Sequence, residues 1–192
     1  MAFYDFMQKL LLARQIKFEE GKIELMNQRV VITPIEQIIS ITELLLEQPK
    51  LIPKIYEKER LSFSEGYAEA VHKLYGFENL DFTKWLVELS NICGWGGHQL
   101  VKFDQKNQEG ILRFYNSPIV KQFKGKTKTP IDHIWRGLTA AGATRIFKKD
   151  IDFIETKCAA VGESKFCEFI FKPRDALTTE EKKQYNWQIP IK

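Results

Sequence analysis

The chain has 192 residues, of which 44% are hydrophobic, 28% are charged and 12% are aromatic. This length is enough for one domain that buries about 70% of its unfolded surface. The net charge of +4 comes from 29 basic and 25 acidic residues spread along the chain, so no nucleic-acid-binding face is expected. No apolar run reaches the ~18 residues of a membrane span, and no signal peptide is recognisable, so a cytoplasmic protein is expected.

The N-terminal part of the chain predicts helices around a small set of strands. Apolar and polar residues alternate from residue 16 to 33, with breaks at Gly21 and Asn27, which predicts short strands joined by turns. Apolar residues at the helical period predict three helices. They cover residues 2–15, 34–48 and 52–75, the last with a break near 62–66.

The remainder of the chain predicts two further helices and two antiparallel hairpins. The helices cover residues 81–93 and 130–148, and the strands cover 98–104, 111–116, 150–158 and 165–173. We expect one domain over residues 1–173, followed by a polar tail over 174–192. Helices combined with antiparallel hairpins indicate an α+β protein, with an antiparallel sheet and packed helices.

Two of the three cysteines lie in the segment ETKCAAVGESKFCEFIF, residues 155–171. Cys158 and Cys167 are nine positions apart, and Glu155 precedes Cys158 by three. These residues alone leave three alternatives open: a zinc site, two small buried thiols, and a redox disulfide. Residues three apart face opposite sides of a straight strand, so joint ligation by Glu155 and Cys158 requires a bend or bulge near Lys157.

Several segments of the chain resemble the 4-vinyl reductase domain family. The most specific are GLTAAGA (137–143), ETKCAAVG (155–162) and CEF (167–169), and GKIELMNQRVVITP and SFSEGYAEA are similar further upstream. The resemblance spans roughly residues 1–173. It implies the NO-signalling and Golgi-transport ligand-binding fold, which the TRAPP core subunits and the phenol-sensing domains of certain transcription activators share. It also implies a homodimer whose protomers contain an apolar pocket.

The same resemblance implies a zinc ion near that pocket. The matching ligands are Glu155, Cys158 and Cys167, and the helix ligand, a cysteine in the phenol sensors, would here be His133. Two thiolates, one imidazole and one carboxylate would leave no open position on the metal, so its role would be structural.

The expected pocket draws on the aromatic residues of the chain, which could equally form an ordinary core. The candidates are Trp85, Trp95, His98, Phe103, Phe114, Tyr115 and Trp135. Phosphate loops, dinucleotide fingerprints and G-x-S-x-G elbows are absent from the sequence, and no catalytic residue is predicted.

The hypothesis is a non-catalytic binding module for a hydrophobic or aromatic small molecule, with a sensory or regulatory role. The alternatives are a tetrapyrrole vinyl reductase or its accessory subunit, and a structural adaptor of the TRAPP type.

Overall fold

The computed structural model describes residues 15–25, 27–65, 73, 87–91 and 93–190. The predicted helix over residues 2–15 lies outside these ranges, except for Gln15. So do most of the helix over 81–93 and most of the second half of the helix over 52–75. None of the described helices is long and apolar enough to cross a membrane.

The first described elements are a three-stranded antiparallel meander and two helices. The chain turns at Gly21 and at Asn27, whose φ angles of 66° and 60° lie in the left-handed region that glycine and asparagine tolerate. Both turns are at the predicted positions. The elements are β1 (Ile16–Glu19), β2 (Lys22–Leu25), β3 (Gln28–Val30), α1 (Ile35–Glu47) and α2 (Ile52–Glu65).

A four-stranded antiparallel sheet forms the centre of the domain, in the order β4-β5-β7-β6. Along β5 and β7 the residues alternate between buried and half-buried, so one face of the sheet lies against the core. This arrangement confirms the predicted α+β class. The remaining elements are β4 (Gly97–Asp104), β5 (Glu109–Tyr115), α3 (Val120–Phe123), α4 (His133–Phe147), β6 (Ile151–Lys157), β7 (Phe166–Pro173) and α5 (Thr179–Tyr185).

Helix α4 packs against helix α2 through its small residues. Gly137, Ala140 and Ala141 are buried. A Cβ atom built on Gly137 would lie 2.6 Å from the Cβ of Glu59 and 2.8 Å from the carbonyl oxygen of Tyr56. The two backbones therefore approach each other more closely than any larger side chain at this position would allow.

Replacing Gly137 with alanine is expected to destabilise the protein. Overpacking costs ~1–3 kcal/mol, and the better helix propensity of alanine offsets up to ~1 kcal/mol of that cost. The free energy of unfolding from urea titration should therefore fall by about 1–2 kcal/mol. Gly162→Ala is the matched control, because a Cβ there would meet nothing within 4 Å. A G137A protein as stable as the wild type would disprove the close approach.

Residues 174–190, predicted as a polar tail, fold back onto the domain. Helix α5 begins with a capping box between Thr178 and Glu181, and Leu177 and Ile189 belong to the hydrophobic core. The side chain of Gln188 pairs with the main chain of Glu155 in both directions: its Oε1 accepts from the Glu155 N–H at 3.0 Å, and its Nε2 donates to the Glu155 carbonyl at 3.1 Å. This segment therefore covers the edge strand β6 beside Glu155.

Candidate metal centre and ligand cavity

Four buried acidic side chains meet at one end of the sheet. They are Asp132, Glu155, Cys158 and Cys167, and one candidate ligand atom from each lies within 4.8 Å of the others. Asp132 directly precedes α4, Glu155 lies on β6, Cys158 follows the end of β6, and Cys167 lies on β7. Carboxylate oxygens and thiolate sulfurs are ligand types that zinc accepts. The cluster brings together three of the four predicted ligands, with Asp132 as its fourth member.

A bulge in β6 makes this convergence possible. The pairing of β6 with β7 shifts register between Glu155 and Lys157, at the place where the parity of Glu155 and Cys158 required a bend. The turn after the strand is held by Lys124, whose Nζ donates to the Ala159 carbonyl at 2.6 Å and also to the Gly162 carbonyl. The chain thus turns Cys158 back toward Cys167.

Each carboxylate of the cluster has one oxygen bound and one oxygen free. Asp132 Oδ1 accepts from Ser117 Oγ at 3.0 Å, and Glu155 Oε2 accepts from the Asp132 N–H at 3.2 Å. Among the described residues, Asp132 Oδ2 and Glu155 Oε1 have no hydrogen-bond partner although both are buried. Buried acceptors without partners are uncommon and costly, and a cation within the cluster would satisfy both.

The four groups also perturb one another's ionisation. Burial raises the pKa of Asp132. Burial and the neighbouring charge of Asp132 raise the pKa of Glu155 well above its ordinary value. The hydrogen bond with Cys167 lowers the pKa of Cys158 to about 7, and the same bond together with burial raises the pKa of Cys167. All four groups can therefore be ionised together only if a positive charge lies among them.

His133, the predicted helix ligand, lies outside the cluster. It is the first residue of α4 and is fully buried. Its Nδ1 is 3.2 Å from Arg136 Nη2, and its ring meets Trp187 edge-on at 6.0 Å. Consecutive residues at a helix start project about 100° apart, so Asp132 and His133 cannot both face the cluster. Asp132 is also a zinc-ligand type, and its position one residue earlier was the available signal.

A separate apolar cavity of about 270 Å³ lies between α4 and the sheet. The meander and residues 87–93 contribute the other walls. Trp135 and Phe147 come from α4, while Leu112, Phe153 and Phe171 come from the sheet. Gly110 leaves space for the Phe171 ring, because a Cβ atom on Gly110 would lie 2.5 Å from that ring.

His98 is a polar residue in this apolar wall. Its ring stacks on Phe114 at 4.5 Å and on Trp135 at 4.8 Å. Among the described residues, neither ring nitrogen has a hydrogen-bond partner. Burial lowers the pKa of His98 to about 4, so the imidazole is neutral at pH 7 and presents one donor and one acceptor.

The structure places the predicted pocket residues in three groups. Trp95, His98 and Trp135 line the cavity. Phe114 stacks behind His98, and Phe103 packs on Phe147 and Phe171. The Tyr115 hydroxyl bonds instead to exposed Gln99, and Trp85 lies outside the described residues.

The sequence analysis missed the aliphatic and aromatic wall of the cavity, including Leu112, Leu138, Phe153 and Phe171. On the strands these residues belong to the inward face, which the alternation of buried residues could have indicated.

Comparison with known proteins identifies the same region. Residues 111–173 match the 4-vinyl reductase domain, and none of the curated proteins matches the chain. The phenol-responsive sensory domain of the transcription activator PoxR, solved with phenol, superposes with a TM-score of 0.76. That match has 16% identity and covers 94% of this chain and 95% of that one.

Two further solved structures are similar over most of the chain. A vinyl-4-reductase family protein from Methanocaldococcus jannaschii has a TM-score of 0.50 and 15% identity, over 75% of this chain and 83% of that one. The trafficking protein particle complex subunit 3 from Naegleria fowleri, covalently bound to palmitic acid, has a TM-score of 0.42 and 11% identity, over 73% and 84%. The predicted fold is confirmed, and residues 111–173, which contain the whole acidic cluster, match the 4-vinyl reductase domain that the sequence motifs predicted.

Proposed function

We propose that the chain is a sensory or regulatory binding module for a small aromatic molecule that carries a hydrogen-bonding group. The observation that carries this proposal is His98, whose two unpartnered ring nitrogens lie in an otherwise apolar cavity. A buried polar group without a partner costs ~1–3 kcal/mol. A ligand hydroxyl would remove that cost, and the cavity walls would bury its ring.

The size of the cavity supports a single-ring ligand. Its volume of about 270 Å³ is below the roughly 300–1,000 Å³ of pockets for drug-sized molecules. Phenol and its simple derivatives suit this volume and the chemistry of His98, whereas a tetrapyrrole is too large. The fold shared with the PoxR domain solved with phenol supports the same ligand class.

We further propose a structural zinc ion at the cluster of Asp132, Glu155, Cys158 and Cys167. Its four donors would complete a tetrahedral set without an open position, so the metal would contribute stability rather than catalysis. Asp132 immediately precedes α4, which carries Trp135, and Cys167 and Phe171 share the buried face of β7. The metal would therefore fix two walls of the cavity at one end.

His98→Phe is expected to separate ligand binding from stability. Phenylalanine keeps the stacking on Phe114 and Trp135 but removes both unpartnered nitrogens. The free energy of unfolding should rise by ~1–3 kcal/mol, while the affinity for phenol should fall about ten- to a hundred-fold. Urea unfolding and isothermal titration calorimetry of the zinc-loaded chain measure the two effects.

Tyr115→Phe is the matched control for this substitution. It also removes a polar atom from the β4-β5 pair, but its hydroxyl is bonded to exposed Gln99, away from the cavity. Phenol affinity should be unchanged in that variant. Equal phenol affinities of the wild type and His98→Phe would contradict the assigned role of His98, and a wild type that binds neither phenol nor its single-ring derivatives would refute the proposed ligand class.

A further inference from the structure

Arg136 is fully buried on α4, one turn after Asp132. Its guanidinium donates only to neutral groups: Nη1 to the Phe153 carbonyl at 2.7 Å, and Nη2 to the Gln188 carbonyl at 3.0 Å and to His133 Nδ1 at 3.2 Å. Among the described residues no carboxylate bonds to it, and its Nε has no partner. A charge buried in this way is costly unless an opposite charge lies nearby.

The nearest source of uncompensated negative charge is the acidic cluster. The carboxylates of Glu155, Asp152 and Asp132 all act to favour the charged form of Arg136, against the effect of burial on its pKa. Asp152 is already paired with Arg174 through two hydrogen bonds of 2.7 and 2.8 Å. Asp132 and Glu155 have no such partner, so their charge is the one that Arg136 can balance.

The contacts of Arg136 also connect the elements that hold the two carboxylates. Its own helix begins directly after Asp132. Phe153, whose carbonyl it binds, lies two residues before Glu155 on β6. Gln188, whose carbonyl it also binds, clamps the main chain of Glu155 on both sides. Arg136 is thus bonded to β6 and to the C-terminal segment at the point where both meet Glu155.

We infer that Arg136 is the countercharge of the metal centre and positions its two carboxylate ligands. This inference rests on the proposed zinc site. Two thiolates and two carboxylates carry four negative charges, so a divalent ion leaves the centre with two. The guanidinium opposes this remaining charge across a dry interior, where electrostatic interactions are strong. Outer-sphere residues of this kind commonly change metal affinity 10- to 100-fold, by the order of magnitude known for other sites.

The test measures the zinc affinity of the folded apoprotein by competition with a chromophoric zinc chelator. Arg136→Met should weaken zinc binding by about 100-fold, whereas Arg136→Lys should stay within about 10-fold of the wild type. Lysine keeps the positive charge but cannot reproduce the bonds to three acceptors. Similar losses in both variants would show that only geometry matters and would overturn the countercharge, as would unchanged affinity in both.

A second pair of variants tests the same charge if Arg136→Met does not fold. Gln188→Glu adds a carboxylate beside Arg136, and Gln188→Ala removes the clamp without changing the charge. Zinc affinity should fall at least about 10-fold further in Gln188→Glu than in Gln188→Ala, and equal affinities would overturn the inference. A wild-type chain that binds no zinc at all would instead refute the proposed metal site, so the two failures are distinguishable.

Discussion

Serine at both Cys158 and Cys167 is expected to reduce the zinc content of the purified chain from one ion to none. The remaining donors, Asp132 and Glu155, are two hard carboxylates, and zinc held by them alone would lose both of its strongest protein ligands. Because binding to the native state stabilises it, the wild type should be more stable than the variant by about 4 kcal/mol when free zinc exceeds the dissociation constant 1,000-fold. Elemental analysis and thermal unfolding measure the two quantities.

The control for this double substitution is Cys93→Ser. Cys93 is a free, exposed cysteine outside the cluster, so its replacement should leave one zinc per chain. A strong chelator should lower the stability of the wild type and of Cys93→Ser, and should leave the double variant unchanged. Wild-type protein purified without a chelator and found to contain no zinc would contradict the metal site.

Asp152→Ala is expected to lower the free energy of unfolding by ~3–5 kcal/mol. Asp152 is completely buried. It accepts hydrogen bonds from the Tyr56 hydroxyl at 3.0 Å and from Arg174 at 2.7 and 2.8 Å. Its removal leaves a guanidinium and a hydroxyl short of their acceptor in the interior, and it loosens the contact of α2 with β6 and the C-terminal segment.

Asp175→Ala is the matched control for Asp152→Ala. Asp175 also forms an ion pair, with Lys149 at 3.1 Å, but its side chain is 68% exposed. Exposed ion pairs contribute only ~0–1 kcal/mol, so chemical denaturation should barely distinguish this variant from the wild type. Comparable losses in the two aspartate variants would mean that the buried network is not a main source of stability.

The sheet and the bulge could be predicted because they depend on local pattern. Alternation of apolar residues along β5 and β7 shows which face is buried. The three-residue spacing of Glu155 and Cys158 demanded a bend, and the structure has a register shift at that place. Both inferences need only the residues of the strands themselves.

The contacts that could not be predicted join parts of the chain that are far apart in sequence. Gln188 reaches Glu155 across 33 residues, and Arg174 reaches Glu57 across 117. A polar segment with a few apolar residues gives no local sign that it will cover an edge strand. For the same reason, residues 174–190 were expected to be a tail.

The fourth member of the cluster shows how little the resemblance fixes at single-residue resolution. It indicated a ligand near the start of α4, where Asp132 and His133 are adjacent. The choice between them depends on the direction in which each side chain leaves the first turn of the helix. His98 was expected near the pocket, but the lack of partners on its ring became visible only once Phe114 and Trp135 were placed around it.

Imidazole ¹⁵N NMR of the zinc-loaded chain during a phenol titration tests the proposed binding site most directly. The chain has three histidines, and His98→Phe assigns the resonances of His98. We predict that the ring nitrogens of His98 shift and reach saturation with phenol, while those of His133, which is buried against Arg136, stay in place. Resonances of His98 that remain unchanged at millimolar phenol would contradict the proposed binding site.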